Sequence, residues 1–106
     1  MIDRARRARW AIFVASIYKF RCPHCGSKLG SVHHIISKSC KRTEFLAKNG
    51  IFCCDILHRI FEGQEGYEKQ QLAIDKYIGR DCYNQLELLK TGALKITDVS
   101  SLRIVE

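Results

Sequence analysis

The first hydrophobic pattern along the chain predicts an amphipathic helix over residues 4–19. Its apolar side chains recur three and four residues apart and therefore share one helix face, formed by Trp10, Phe13, Val14 and Ile17. Arginines crowd the positions before Trp10. We expect the apolar stripe to pack inward and the arginine-rich face to meet water or phosphate.

Short apolar runs in the middle of the chain predict two strands followed by a helix. In chain order the predicted elements are a strand over 31–36, a polar loop over 37–48, a turn at Asn49-Gly50, an extended run over 51–54 and a helix from about Asp55. This last helix carries Leu57, His58 and Phe61.

The C-terminal third shows helical spacing again. Residues 67–90 are predicted to be helical, with a break at Gly79, and their apolar face consists of Tyr67, Leu72, Ile74, Tyr77, Ile78, Leu86 and Leu89. The pattern over 94–105 fits either a short strand or a last helical turn.

Length and composition predict a single domain over residues 1–106. The chain is 46% hydrophobic and 27% charged, contains one proline, and shows no repeat or linker, which is ordinary globular composition. Its longest mainly apolar run, Trp10 to Tyr18, is far shorter than the roughly 20 residues that span a bilayer. We therefore expect no membrane partner.

The charge is distributed unevenly, with a net charge of +7 and a basic first half. Residues 1–50 carry 11 basic and 2 acidic side chains, whereas residues 51–106 carry 7 basic and 9 acidic ones. A basic face of this kind favours a polyanionic partner, most simply DNA, over a surface that serves solubility alone.

Six cysteines admit two opposite interpretations: a disulfide framework in a secreted protein, or free thiols in an intracellular one. Secretion would require residues 3–18 to be a signal peptide. The apolar stretch, however, runs into Lys19, Phe20 and Arg21 without a small-residue cleavage site. We therefore expect a cytoplasmic protein with reduced cysteines.

The segment Cys22-Pro23-His24-Cys25-Gly26 has the spacing of half a zinc site. Two thiolates two residues apart in a tight turn can bind one tetrahedral ion, but a complete site needs further ligands. Two small buried cysteines, or a redox-active pair, are the alternatives. The redox interpretation is the weaker one, because the strand-to-helix context of such pairs is missing.

Three of the four histidines, His33, His34 and His58, lie in a region that also contains Asn49. Neighbouring residues of a strand point to opposite sides, so His33 and His34 can serve different purposes. Hydrolysis of a phosphodiester needs a base that activates water and a divalent cation that stabilises negative charge. A neutral imidazole suits the first task, and imidazole is also a metal ligand.

These residues resemble an HNH endonuclease, most closely the small phage-type and mobile-element members. The resemblance covers about residues 8–90 and is carried by Cys22-x-x-Cys25-Gly26, by His33-His34-Ile35-Ile36-Ser37-Lys38-Ser39 and by Asn49-Gly50-Ile51-Phe52-Cys53-Cys54-x-x-Leu57-His58. It implies an α+β fold with a ββα-metal core over about 20–63, flanked by the helices predicted over 4–19 and 67–90.

The resemblance also implies a role for each residue of the core. His34 corresponds to the general base, and Asn49 to the asparagine that braces the loop and orients the base. His33 and His58 correspond to ligands of one catalytic divalent cation, Mg²⁺ or Mn²⁺.

The sequence departs from the family pattern at Leu57, which stands where a second cysteine of the helix is usual. Cys22, Cys25 and Cys54 then remain as ligands of a structural Zn²⁺, with Cys40 or Cys53 as the fourth. The alternative is that the cysteines and Leu57 form an apolar cluster without metal.

Four basic residues between the catalytic segments are predicted to contact DNA phosphates: Lys38, Lys41, Arg42 and Lys48. The sequence thus predicts a metal-dependent DNA endonuclease, and the alternative is a DNA-binding module of the same fold with little activity. Cutting both strands with one site per chain would require a homodimer or two binding events.

Overall fold

The protein is described here by a computed structural model over residues 2–95 and 103–106, in which four α-helices accompany one antiparallel sheet of two strands. The helices and strands are α1 (Ile2–Ile17), β1 (Ser31–His34), β2 (Gly50–Cys53), α2 (Asp55–Phe61), α3 (Tyr67–Ala73) and α4 (Arg80–Thr91). A 3₁₀ turn (Ala47–Asn49) precedes β2, and a π-helical turn (Ile74–Ile78) follows α3. The predicted α+β class is confirmed.

The two strands pair in the register Ser31 to Cys53 and His34 to Gly50, and α2 follows β2 after a single residue. Gly50 lies in extended backbone rather than in the turn that Asn49-Gly50 predicted. A Cβ at this glycine would lie 2.6 Å from the Trp10 ring and 2.9 Å from Val14 Cγ2. The residue is therefore glycine because α1 packs directly on the backbone of β2.

Helix α1 follows the predicted stripe along part of its length. Trp10, Val14 and Ala15 are buried against the sheet, whereas Ile17 is 51% exposed. The helix ends at Ile17, and Tyr18 N–H bonds back to the carbonyl of Ala15 as the chain turns towards Cys22. The prediction that Ile17 packs inward was wrong, and this exposed side chain is the last residue of the helix.

The predicted break at Gly79 is confirmed, with a φ of +92° that favours glycine. Ile74, Leu86 and Leu89 are buried as predicted from the spacing. Tyr67 and Leu72 are instead 73% and 67% exposed, and Ala73 is the one buried residue of the short helix α3.

Buried side chains form two clusters on either side of Ile35. One consists of Ile36, Leu46, Leu86 and Leu89. The other consists of Cys22, Ile51, Cys53, Leu57 and Ala73. Together they fix the loop between the strands and the start of α2.

Of the tail predicted over 94–105, residues 96–102 lie outside the described part of the chain. Ile104 forms an antiparallel bridge with Leu46, and Val105 N–H donates to the carbonyl oxygen of Phe45. None of the helices described is both long enough and apolar enough to cross a bilayer.

Candidate functional site

Two of the three clustered histidines are brought into direct contact. The His33 and His58 rings stack with centroids 3.5 Å apart and an angle of 11° between planes. His33 lies in β1, where it pairs with Ile51 of β2, and His58 lies in α2. Because α2 folds back from the end of β2, one turn of helix is enough to carry His58 over the strand that holds His33.

The outer nitrogens of this pair already have neighbours. His33 Nε2 lies 3.0 Å from Ser31 Oγ, and His58 Nε2 lies 2.9 Å from the carboxylate of Glu62. The stacking therefore places two potential imidazole ligands side by side.

His34 points away from this pair and packs against α1. Its ring stacks on Trp10 with centroids 3.9 Å apart and an interplanar angle of 8°. Its Nε2 lies 2.9 Å from the carbonyl oxygen of Glu44. A carbonyl oxygen can only accept, so Nε2 carries a proton and, in the neutral ring, Nδ1 keeps a free lone pair.

The environment favours the neutral form of both strand histidines. Burial lowers the pKa of His34 below 6.5, and the positive charges of Arg7 and Lys38 lower it further. The hydrogen bond to Glu44 raises the pKa but does not offset these effects. Burial, followed by the charge of His58, lowers the pKa of His33. At neutral pH His34 is therefore available as a proton acceptor.

Asn49 is completely buried and connects three backbone segments. Its Oδ1 accepts from Ile36 N–H at 2.7 Å. Its Nδ2 donates to the carbonyl oxygens of Ile36 at 3.1 Å and Thr43 at 3.0 Å. The side chain thereby fixes the loop that carries the carbonyl of Glu44, and through it the His34 ring.

Glu44 is a buried carboxylate that the sequence did not single out. Its two oxygens accept from Arg7 Nε at 2.8 Å and from Lys41 Nζ at 3.1 Å. Burial alone would raise its pKa, but the bonds and charges of Arg7 and Lys41 outweigh burial and lower it. The ion pair with Arg7 ties the loop to α1.

A groove of about 490 Å³ unites the three histidines. His33, His34 and His58 line it together with Lys38 and Glu62. The groove is therefore mixed in charge, with a cationic side chain on one wall and a carboxylate on another.

The predicted phosphate contacts differ in their surroundings. Lys38 and Lys48 are exposed, and Lys38 is the one that lines the groove. Lys41 bonds to Glu44, and Arg42 lies 3.4 Å from the carbonyl oxygen of Lys90. Lys38 is thus the best placed of the four.

The second candidate site is the cysteine cluster, formed by Cys22, Cys25 and Cys54. Their Sγ atoms all lie within 4.8 Å of one another. Tetrahedral Zn²⁺ with bonds of about 2.3 Å requires sulfurs about 3.8 Å apart, so the three thiols can hold such a metal ion after a small contraction. Among the described residues this is the single set that brings three ligand atoms so close together.

Backbone N–H groups surround two of these sulfurs. His24 N–H donates to Cys22 Sγ at 3.4 Å, and Leu57 N–H donates to Cys54 Sγ at 3.5 Å, where Cys54 is the N-cap of α2. Burial raises the pKa of Cys22, but backbone N–H donors, including those of Cys54 and Cys25, outweigh it and lower the pKa. These donors stabilise the thiolate that a metal needs.

The remaining cysteines lie outside the cluster. Cys53 is buried in the core, where burial, followed by the charges of Cys22 and Cys54, raises its pKa to about 12. Cys40 and Cys82 pack against the other core, which contains Ile36 and Leu46. All six cysteines are free.

The structure adds Trp10, Glu44 and Glu62 to the residues predicted from sequence. Trp10 belongs to a helical stripe. Such a pattern indicates that Trp10 is buried, but it does not indicate that Trp10 stacks on His34, which lies far along the chain. Glu44 had a usable signal, since it is the sole acidic residue of a strongly basic segment. Glu62, four residues after His58 on one helix face, was also accessible to sequence reasoning.

Comparisons with protein-family models, with curated proteins and with solved structures found no match for this chain.

Proposed function

We propose that the protein is a metal-dependent DNA endonuclease of the HNH type, in which His34 activates the attacking water. The observation that carries this proposal is the His34 ring itself. Its Nε2 is bonded to the carbonyl of Glu44, its Nδ1 keeps a lone pair that can accept a proton, and the residue borders the groove that His33 and His58 also line.

The chemistry follows from these positions. Water in the groove would give a proton to Nδ1 of His34 and attack the phosphorus, and the 3′ oxygen would leave. His33 and His58 would hold a hard divalent cation, Mg²⁺ or Mn²⁺, which supplies electrostatic stabilisation of the developing negative charge. Two imidazoles leave most positions of such a cation to water and phosphate, which suits Mg²⁺.

DNA as the substrate is supported by the charge distribution. The chain carries a net charge of +7 and the half containing His33, His34 and Asn49 is the basic one. Lys38 brings a cation to the groove wall. Phosphate contacts of this kind position a duplex without reading its sequence.

The decisive experiment is cleavage of supercoiled plasmid with Mg²⁺ or Mn²⁺ by the wild type, by His34→Ala and by His34→Gln. We expect both variants to lose about 10²–10⁴-fold in rate, because each removes the proton acceptor. His34→Gln retains an N–H donor for the carbonyl of Glu44 and so separates loss of the base from loss of the hydrogen bond.

His24→Ala is the matched control, since His24 is an exposed histidine whose ring bonds only to the Tyr77 hydroxyl at 2.8 Å. It should cut as the wild type does, and a chelator should abolish cleavage by both. Wild-type rates in both His34 variants would refute the assignment of the base. A folded wild type that binds DNA in a mobility-shift assay without cutting it would indicate a DNA-binding module instead.

A further inference from the structure

The cysteine cluster supplies three sulfurs, and the residues around it explain why the protein supplies no fourth. Leu57, whose N–H faces Cys54 Sγ, is completely buried and packs in the core with Cys22 and Cys53. Cys53 is itself 1% exposed in that core, and Cys40 and Cys82 pack against the other core cluster. Bringing any of these three cysteines to the metal would therefore require the core to be repacked.

The other side of the cluster opens to solvent. A shallow groove of about 470 Å³ is lined by Cys25 and Cys54, and its walls also include Asp55 and Arg59. Cys25 is exposed. Solvent thus reaches the sulfurs from this side. Of the described residues on its wall, Asp55 is the one carboxylate, and it is not part of the close ligand set of Cys22, Cys25 and Cys54.

We propose that the cluster binds one Zn²⁺ through three thiolates and keeps a fourth, exchangeable position that faces this groove and accepts a small thiol. Structural zinc sites have four protein ligands, whereas zinc sites with three protein ligands hold water or another exchangeable ligand in the fourth position. Sulfur is the donor that Zn²⁺ favours among exogenous ligands of this size.

The charge of the site is compatible with an added ligand. Zn²⁺ with three thiolates carries one net negative charge, and a fourth thiolate would raise this to two. Arg59 on the groove wall offers a compensating cation, while Asp55 on the same wall opposes it. We therefore expect exchange to be measurable with a neutral small thiol at millimolar concentration rather than to be complete at stoichiometric amounts.

The test is spectroscopic and does not depend on nuclease activity. Co²⁺ is titrated into the protein of residues 1–106 after metal removal, with a phosphine as the reductant so that no small thiol is present. Thiolate-to-cobalt absorption reports the cysteine cluster alone, since the histidine groove has no sulfur. Wild type should bind one Co²⁺ in a tetrahedral site, and 2-mercaptoethanol should then shift and intensify the absorption.

Leu57→Cys is the informative variant, because the Leu57 side chain packs in the same buried cluster as Cys22, against which Cys54 also packs, and a thiol there is a candidate fourth ligand. Its cobalt absorption should exceed that of the wild type by about one third, four sulfurs against three, and should no longer respond to 2-mercaptoethanol. Cys40→Ser and Cys53→Ser are the controls and should leave the wild-type spectrum and its response unchanged.

Three results would overturn the proposal. One is a folded wild type that binds no Co²⁺, and the second is a wild-type spectrum that does not respond to the thiol. The third is loss of cobalt absorption in Cys40→Ser or Cys53→Ser, which would identify a fourth protein ligand. The response of the wild type decides the question even if Leu57→Cys does not fold.

Discussion

Helix α2 contributes to both candidate sites. Cys54, its N-cap, supplies one sulfur of the cysteine cluster, and His58, one turn later, supplies the imidazole that stacks on His33. In the histidine groove His33, His34 and His58 each have a polar partner on the protein. In the cysteine cluster three sulfurs converge, and Leu57, three residues after Cys54, is apolar.

The difference lies in what holds each site together. The groove is organised by hydrogen bonds and ring stacking, chiefly through Asn49 and through the contacts of His34 with Trp10 and Glu44. The cluster consists of thiols that contact one another, and a metal would supply their main attraction. We therefore expect the groove to keep its geometry without metal and the cluster to depend on it.

The largest effect is expected from Asn49→Ala, which removes the organisation of the groove. Three hydrogen bonds are lost in a fully buried position, and the N–H of Ile36 and the carbonyl of Thr43 lose their partner. We expect the free energy of unfolding to fall by about 4 kcal/mol, measured by urea denaturation.

Asn49→Asp is the matched control for that change. It preserves the acceptor for Ile36 N–H but places a carboxylate oxygen against the carbonyl oxygens of Ile36 and Thr43, so at neutral pH it should destabilise at least as much as Asn49→Ala, and its stability should recover at acidic pH, where the protonated carboxyl can donate. Equal stability of wild type and Asn49→Ala would show that the loop is held by packing instead.

One substitution in each site tests whether the two sites bind their metals independently. Cys54→Ser should weaken zinc binding about 100-fold because a thiolate is lost, without changing the Mg²⁺ concentration needed for cleavage. His58→Ala should do the opposite, raising the required Mg²⁺ about 10–100-fold while zinc content stays constant. Metal analysis and cleavage titrations measure both, and a shared response would show that the sites are coupled.

The sequence allowed the strand, strand and helix order to be predicted, because short apolar runs and helical spacing are local signals. The resemblance to the HNH pattern also indicated which cysteines converge, namely Cys22 and Cys25 of one turn together with Cys54. It did not indicate that α1 packs on β2 so closely that Gly50 has no room for a side chain. That contact joins residues about 40 positions apart, and no local pattern encodes it.

A smaller effect is expected from Glu44→Gln, which tests how α1 is joined to the groove. The pKa of Glu44 is lower in the folded protein, so its charge stabilises the fold above pH 4.5 and loses this contribution as the pH falls through the lowered pKa. We expect a loss of about 2 kcal/mol at pH 7, reduced because Arg7 and Lys41 are partly exposed.

Thermal unfolding of wild type and Glu44→Gln between pH 7 and pH 3 measures this contribution. The two melting temperatures should converge on the acidic side. A difference that stays constant over this range would mean that the stabilisation comes from the shape of the side chain and not from its charge.

The smallest effect is expected from Trp10→Phe, which removes one hydrogen bond from the support of His34 and keeps an aromatic ring beneath it. Trp10 is 2% exposed, and its Nε1 donates to the carbonyl oxygen of Leu46 at 2.8 Å. The lost bond should cost about 1 kcal/mol. Cleavage should stay within about threefold of wild type in Trp10→Phe and fall further in Trp10→Ala, which also loses the stacked ring. Equal cleavage by the two variants would mean that the carbonyl of Glu44 alone orients His34, and that α1 stabilises the fold without positioning the base.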